Sequence, residues 1–477
     1  MHEPEILIAP ASDLWRTALQ RPAPDAQARR FREQLGLPTD RPIILSGHQP
    51  TIWHAGILAK WFAIAHAARS LGAAAAWIVV DQDPDDFSPL RVPVRVPASS
   101  GTPSIEPRTW LLAGDEIGAM VRAGRPAGAI EPVSIRAVPS PADLAGAGAA
   151  FALESIEPSL RRLRAALEDA RLHSTTAAEQ LARAIAACTA HLAPPPHLLF
   201  ATRLARTDLF RSLVDRMRTD PRACVSAYNA AVQRLHGAGI VPLAEQPAKW
   251  ELPLWHLPGP GAPDRSRRRV WSDALASVPA AELAPRALLL TGLLRFAGCE
   301  LFVHGTGGGG ADGSSGYDAI TTHWLHAWLG APLAPTATVT ATLPLPLAEQ
   351  ATRLTTPGDV HAAKWHAHRM RHDPAMVGDA GAAAEKARWL EAIRTTRDRR
   401  ERASAFAQMH AGLRTARERA AAQLARAEAH AADTERRARE SAVLTDRTWP
   451  FVLHDDAALR HLSNRVAGAL GLAPSTK

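Results

Sequence analysis

The sequence predicts an α/β protein with a Rossmann-like parallel-sheet core, helical insertions and a long C-terminal helical coiled-coil arm. Three observations carry this. Pro42-Ile43-Ile44-Leu45, the helical pattern of residues 57–72 and Trp77-Ile78-Val79-Val80 give strand, helix and strand within about forty residues, the signature of a βαβ unit. Residues with chemical potential follow three separate strand-like runs, as ligand-binding residues do in open α/β sheets. Residues 381–443 contain no Pro and only Gly381 and Gly412, and are dense in Ala, Arg, Glu and Gln.

Residues 42–45 are apolar, β-branched and followed by Ser-Gly, so they read as a short buried strand. Ile57, Trp61, Ile64, Ala68 and Leu71 fall at helical spacing, and Gly72 can end that helix. The strand 77–80 runs into the acidic stretch Asp81-Gln82-Asp83-Pro84-Asp85-Asp86. Residues 97–150 are rich in Pro, Gly, Ala and Ser and read as an insertion with weak helices. Amphipathic helices follow over 152–192, stopped by Ala193-Pro194-Pro195-Pro196, and again over 203–237. Residues 239–257 read as strands around a turn, 258–269 as an exposed loop, and 286–298 as an apolar helix. The run 299–318 reads as a strand that breaks into a glycine-rich loop. The arm follows as a long helix or a helical hairpin; its a and d positions are mostly Ala. Residues 447–462 regain aromatic and apolar character. The expected division is therefore 1–96 as the first part of the core, 97–196 as the insertion, 197–380 as the rest of the core, 381–447 as the arm, and 448–477 packing back on the core.

The chain has 477 residues, 46% hydrophobic and 21% charged, with a formal net charge of +8. This composition is that of a globular protein. The positive excess is scattered Arg and not one basic block, so nucleic acid is not an expected partner. Cys188, Cys224 and Cys299 form neither metal-ligand spacing nor a disulfide framework, which fits a reducing cytoplasm and predicts no metal site. The first ten residues lack a basic-then-apolar pattern, so no signal peptide is expected. No run reaches the roughly 20 apolar residues of a membrane span.

Lysine is scarce: Lys60, Lys249, Lys364, Lys386 and Lys477 stand against fifty arginines. A compact ammonium that persists in an Arg-rich chain is a candidate for chemistry Arg does not supply. Lys60 closes the stretch Ser46–Trp61, which also holds Gly47, His48, Gln49 and His54. Near the start of a helix it opposes the helix dipole, a penalty an anionic ligand would reverse. His48 and His54 equally fit a turn packed beside Trp53, and Asp81 and Asp83 fit simple caps. His304-Gly305-Thr306-Gly307-Gly308 follows the third strand. It lacks the Lys-Ser/Thr of a P-loop, but successive backbone N–H groups without side chains suit a phosphate or carboxylate. The only two tyrosines, Tyr228 and Tyr317, sit in Tyr228-Asn229 and Tyr317-Asp318.

The order of these pieces resembles the bacillithiol-biosynthesis cysteine-adding ligase family, BshC. Gly47-His48-Gln49-Pro50 and Lys60 stand where that family has a Gln-rich loop and a helix carrying Tyr-Lys. Asp81-Gln82-Asp83 stands where it has an Asp-His-Asp type motif. Residues 286–298, 300–303, Gly305–Gly310 and Tyr317 stand where it has an apolar helix, a strand and a Gly-rich loop followed by Tyr-Trp. The chain departs from the family at His48, at Gln82, and in a longer glycine-rich loop. The resemblance implies an amide-forming ligase that joins an amino acid, cysteine in the family, to an amino-sugar-type amine.

On that reading Lys60, Gly47, Gln49, His304, Tyr317 and Asp318 bind substrate, a small molecule with amine and carboxylate groups. His48, His54, Asp81 and Asp83 act in catalysis. Gly305, Thr306, Gly307 and Gly308 face a cofactor such as ATP or ADP, and 381–447 forms a homodimer. Two other readings compete. One is a non-catalytic ligand-binding scaffold that dimerises through the arm. The other is a sugar-modification enzyme, since residues 44–90 also resemble the WbqC-like family.

Overall fold

The computed structural model describes residues 3–20, 24–84, 87–97, 104–112, 131–142, 151–235, 239–259, 261–310, 316–347 and 354–472. Its strands, in chain order, are β1 (Glu5–Ala9), β2 (Ile43–His48), β3 (Ala74–Val79), β4 (Pro89–Val96), β5 (Ser104–Leu111), β6 (His197–Phe200), β7 (Glu245–Gln246), β8 (Lys249–His256), β9 (Arg268–Trp271), β10 (Leu283–Pro285), β11 (Leu301–His304) and β12 (Thr336–Thr342). Six of them form the main sheet in the order β1-β12-β11-β2-β3-β6. Every pairing in it is parallel except that of the edge strand β1, which runs antiparallel to β12. The fold is thus mixed α/β with a mostly parallel sheet.

The sheet is buried on both faces, as its apolar strands require. Ile43, Leu45, Ala76, Ile78 and Phe302 turn into one core with Trp324 and Leu325 of the helix Tyr317–Leu329. The helix Ala55–Leu71 lies against β2, β3 and β12. It is buried almost all round, which explains why its sequence is apolar on every face and not on one stripe. The helix begins two residues before the periodic pattern. His54 caps it, with Nδ1 accepting from the Gly56 N–H at 3.1 Å. Gly72, at φ 67°, ends it in the left-handed conformation glycine favours.

From β2 the chain moves outward to β3 and β6; β11 and β12 then fill the other side. The order therefore reverses between β2 and β11, which pair directly through Leu301–Ile44, Phe302–Leu45 and Val303–Ser46. Such a reversal opens a crevice at the carboxyl ends of the two strands. A second sheet, β10-β8-β7 with β9 on β8, supplies further residues to that region. The expected loop over 258–269 carries no regular structure among the described residues up to Arg267, and β9 begins at its last two positions. Much of the expected 97–150 insertion lies outside the described residues; within it, β5 pairs with β4.

The chain divides into two compact units, Met1–Val94, Pro107–Leu345 and Arg447–Lys477 in one, Arg95–Glu106 and Pro346–Asp446 in the other. In the first unit, Phe451 N–H donates to the Trp53 carbonyl at 2.7 Å, and the helix Asp456–Leu470 packs on Ala55–Leu71. The second unit holds the helices Pro357–His372, Ala380–Thr395, Arg399–Arg419 and Ala421–Leu444. Of the two expected forms of 381–443, one long helix or a helical hairpin, the single long helix is not what forms: Asp398 accepts from the N–H groups of Arg400 and Glu401 and starts a new helix. The first of the four packs on the fourth through Ala363, Ala367, Ala427 and Ala431, flanked by Lys364–Glu435 at 2.9 Å and Arg371–Glu428 at 3.1 Å. The second packs on the third. Among the described residues no helix is long and apolar enough to cross a membrane.

Candidate functional site

Gly47 sits at the end of β2 because nothing larger fits. A Cβ there would lie 2.1 Å from Ile78 Cγ2 and 2.4 Å from the Ile78 carbonyl oxygen, so β3 leaves no room. Its carbonyl accepts a hydrogen bond from Lys60 Nζ at 2.7 Å. The same ammonium lies 5.2 Å from the Trp77 ring centroid. Lys60 lies in the second turn of the helix that starts at Ala55, as expected, but is only 4% exposed. Burial pulls its pKa down to about 7, against a smaller upward pull from Asp318.

His48 follows on β2, with Nδ1 buried and unpartnered among the described residues. Burial, then the charges of Lys60 and His54, hold it down at about 3. A histidine held so low is neutral near pH 7 and a weak base. His54 spends its Nδ1 on the helix cap. Gln49 Nε2 donates to Asp83 Oδ2 at 3.2 Å, and the other Asp83 oxygen pairs with Arg267. Asp81 departs from its expected catalytic role. Its Oδ1 accepts from Thr202 N–H at 2.9 Å and its Oδ2 from Thr202 Oγ1 at 2.6 Å, which fastens the ends of β3 and β6. Asp81 is 3% exposed and does not face the crevice, and burial raises its pKa to about 6.

On the facing strand, His304 ends β11. Its Nδ1 lies 3.2 Å from Tyr317 Oη and its Nε2 lies 3.1 Å from Asp318 Oδ1. The glycine-rich run is divided in role. A Cβ on Gly308 would strike His304 Nδ1 at 2.4 Å, and one on Gly309 would strike Thr338 Oγ1 at 2.0 Å, so these two glycines let the turn lie flat on β11 and β12. Around Gly305 and Gly307 there is open space. The N–H groups of Gly308 and Gly309 bond to the Gly305 carbonyl, and that of Gly310 to Thr306. Among the described residues the amides of Thr306 and Gly307 carry no such bond and could meet a ligand, fewer than the cradle the sequence suggests. Residues 311–315 lie outside the described residues.

Between these walls is a cavity of about 720 Å³, the size of a small-molecule site. Gly47, His48, Gln49, His54, Lys60, Asp83, His304, Gly305, Thr306, Gly307, Gly308 and Tyr317 all line it. Asp318 stands behind His304. The structure adds residues that sequence reasoning missed: Gln82, Trp255, Arg267, Arg269 and Arg286. Tyr228, singled out only for its rarity, lines it too. Trp255 is held between Arg267 at 4.2 Å and Arg286 at 4.6 Å from its ring centroid. The buried Glu251 anchors Arg286 and approaches Arg269 at 3.5 Å. Four cationic side chains therefore face the cavity against one carboxylate, Asp83. The available signal was the run Arg267-Arg268-Arg269, masked by the Pro and Gly before it. Among the described residues no group of three potential metal ligands is assembled. No protein-family model and no curated protein matches the chain.

Proposed function

We propose that the cavity is the active site of a BshC-like ligase or transferase on a Rossmann-like core. It would form an amide between an amino acid, cysteine in that family, and an amino-sugar-type amine. The observation that carries this reading is the meeting of Lys60 and His304, from opposite sides of the strand-order reversal, in one ligand-sized cavity whose charged side chains are mostly cationic. Amide formation needs neutralised acyl-side oxygens, a base for the ammonium, and two partners held in reach. Lys60, Arg267 and the amides of Thr306 and Gly307 would hold carboxylate or phosphate oxygens. ATP or ADP belongs to the reading as the source of a phosphate, and these same groups would face it. Gln49 and Asp83 fix Arg267. His304 replaces His48 and His54 as the base, because His48 is held too low and His54 is committed to its cap. A homodimer through 381–447, coiled-coil pairing and a cytoplasmic location belong to the same reading. Leu390 and Phe406, exposed on the helices of that segment, support a partner there.

The test is to incubate the protein with cysteine, glucosamine derivatives and ATP and to analyse the mixture by mass spectrometry. An amide of the combined mass, absent with His304→Gln, is expected. A panel with no condensation product, and no product with other amino acids, would count against a ligase and favour the scaffold reading.

A further inference from the structure

Asp318 is an unusual carboxylate. It is 3% exposed, and neither of its oxygens makes a regular hydrogen bond among the described residues. A buried carboxylate without donors is costly and calls for an explanation. Its neighbours give one. Arg295, also buried, approaches Oδ1 at 3.8 Å but spends its donors on the Ala334 and Asp318 carbonyls and Thr322 Oγ1. The nearest cationic or titratable atom is His304 Nε2 at 3.1 Å, within ion-pair reach though off the hydrogen-bond line. On the other side of the imidazole, Tyr317 Oη lies 3.2 Å from Nδ1, with the two rings edge to face at 5.3 Å. Tyr317 and His304 both face the cavity; Asp318 does not.

We propose that Tyr317, His304 and Asp318 form a proton relay on this wall of the cavity, with Tyr317 as the group that meets the substrate. This rests on the amide-forming reading above and gives its base a mechanism. In the resting state Tyr317 O–H donates to His304 Nδ1, and the His304 proton sits on Nε2 facing Asp318. When a substrate ammonium reaches Tyr317, Oη takes its proton while the phenol proton passes to Nδ1. The ammonium becomes a neutral amine, Tyr317 remains a phenol, and His304 becomes an imidazolium. Asp318 stabilises that cation and fixes the tautomer, the division of labour known from nucleophile–His–Asp triads. Tyr317 and His304 are the catalytic residues, and Asp318 is a positioning residue. Burial raises the Tyr317 phenol above its ordinary range, with Asp318 adding to the effect, so the phenol passes a proton and does not rest as a phenolate. Among the described residues the charged groups around the relay are Asp318 itself, Arg295 behind it, and Lys60, on which Asp318 acts through space. Gly308 is part of the device, since any side chain there would displace the imidazole.

The test is ¹⁵N NMR of protein labelled at histidine, with the His304 signals assigned by their loss in His304→Gln. The relay predicts a neutral Nε2–H tautomer in the wild type. In Asp318→Asn the His304 Nε2 signal should move, because the carboxylate that faces it at 3.1 Å has been removed. In Tyr317→Phe, which keeps the ring and Asp318, the Nδ1 signal should lose the signature of an accepted hydrogen bond. With an amide assay in hand, Tyr317→Phe should lower kcat about 100-fold with the amine's KM kept, the usual scale of acid–base assistance. Unchanged His304 signals in both variants would overturn the relay, whatever the protein makes. So would a wild-type kcat in Tyr317→Phe. A relay intact by NMR in a protein that condenses nothing would instead overturn the amide-forming reading.

Discussion

Placing Lys60 against Trp77 and the Gly47 carbonyl strips its ammonium of water, and the pKa falls from 10.5 to about 7. The consequence for stability has a definite sign. Between about pH 7 and pH 10 the unfolded chain carries the Lys60 proton and the folded chain has released it, so this group makes the fold more stable as pH rises. Lys60→Met removes that dependence. Urea unfolding should show the wild type gaining on Lys60→Met between about pH 7 and pH 9.5; parallel curves would contradict a buried, titrating amine. Asp81 runs the other way. Its folded pKa of about 6 lies above the ordinary carboxylate value of 3.8, so stability is lost as pH rises through that range. Asp81→Asn should raise the melting temperature near pH 7, with the gain vanishing below about pH 4, and should leave ligand binding unchanged. A loss of binding in that variant would return Asp81 to the site. The sequence singled out both residues correctly as unusual but could not say which way they point. Asp81 is drawn aside by Thr202, over a hundred positions along the chain, and no local pattern records that contact.

At the scale of elements, the strands 42–45, 77–80 and 300–303 and the intervening helix were legible because burial on both faces writes a continuous apolar run. The edge strand β1, its partner β12 and the Arg-bearing β9 were not. The first two pair with segments far away in the chain, and β9 follows a Pro- and Gly-rich turn that hides it. The glycines give a prediction that separates packing from binding. Gly47→Ala drives a methyl into the Ile78 backbone, which cannot yield as a side chain could, so it should destabilise by more than about 2 kcal/mol. Gly307→Ala meets open space and should change stability by no more than about 0.5 kcal/mol. Chemical denaturation of the two variants decides this. Equal losses would mean that Gly307 is also held by packing.

For the whole molecule, the helical character of 381–443 could be read from composition, but its interruption at Asp398 and the pairing of Pro357–His372 with Ala421–Leu444 could not. An Ala-rich seam serves a partner helix in the same chain as well as one in a second copy, and the sequence does not distinguish them. Within this chain the seam of Ala363, Ala367, Ala427 and Ala431 is already closed. A homodimer would therefore use other faces, where Leu390 and Phe406 are exposed. Light scattering at micromolar concentration should give a dimer that Leu390→Glu with Phe406→Glu converts to a monomer. A monomeric wild type would remove the dimer from the account.

If a ligand binds in the cavity between β2 and β11, thermal unfolding in the presence of cysteine, glucosamine derivatives and ATP will report it. Specific binding at a hundred times Kd stabilises by about 2.7 kcal/mol, enough to read as a shift in Tm. The account predicts such a shift for the wild type with at least one of these compounds, and its loss in Lys60→Met. A compound that stabilises Lys60→Met as fully as the wild type would contradict the account, because the ligand would then bind somewhere other than beside Lys60.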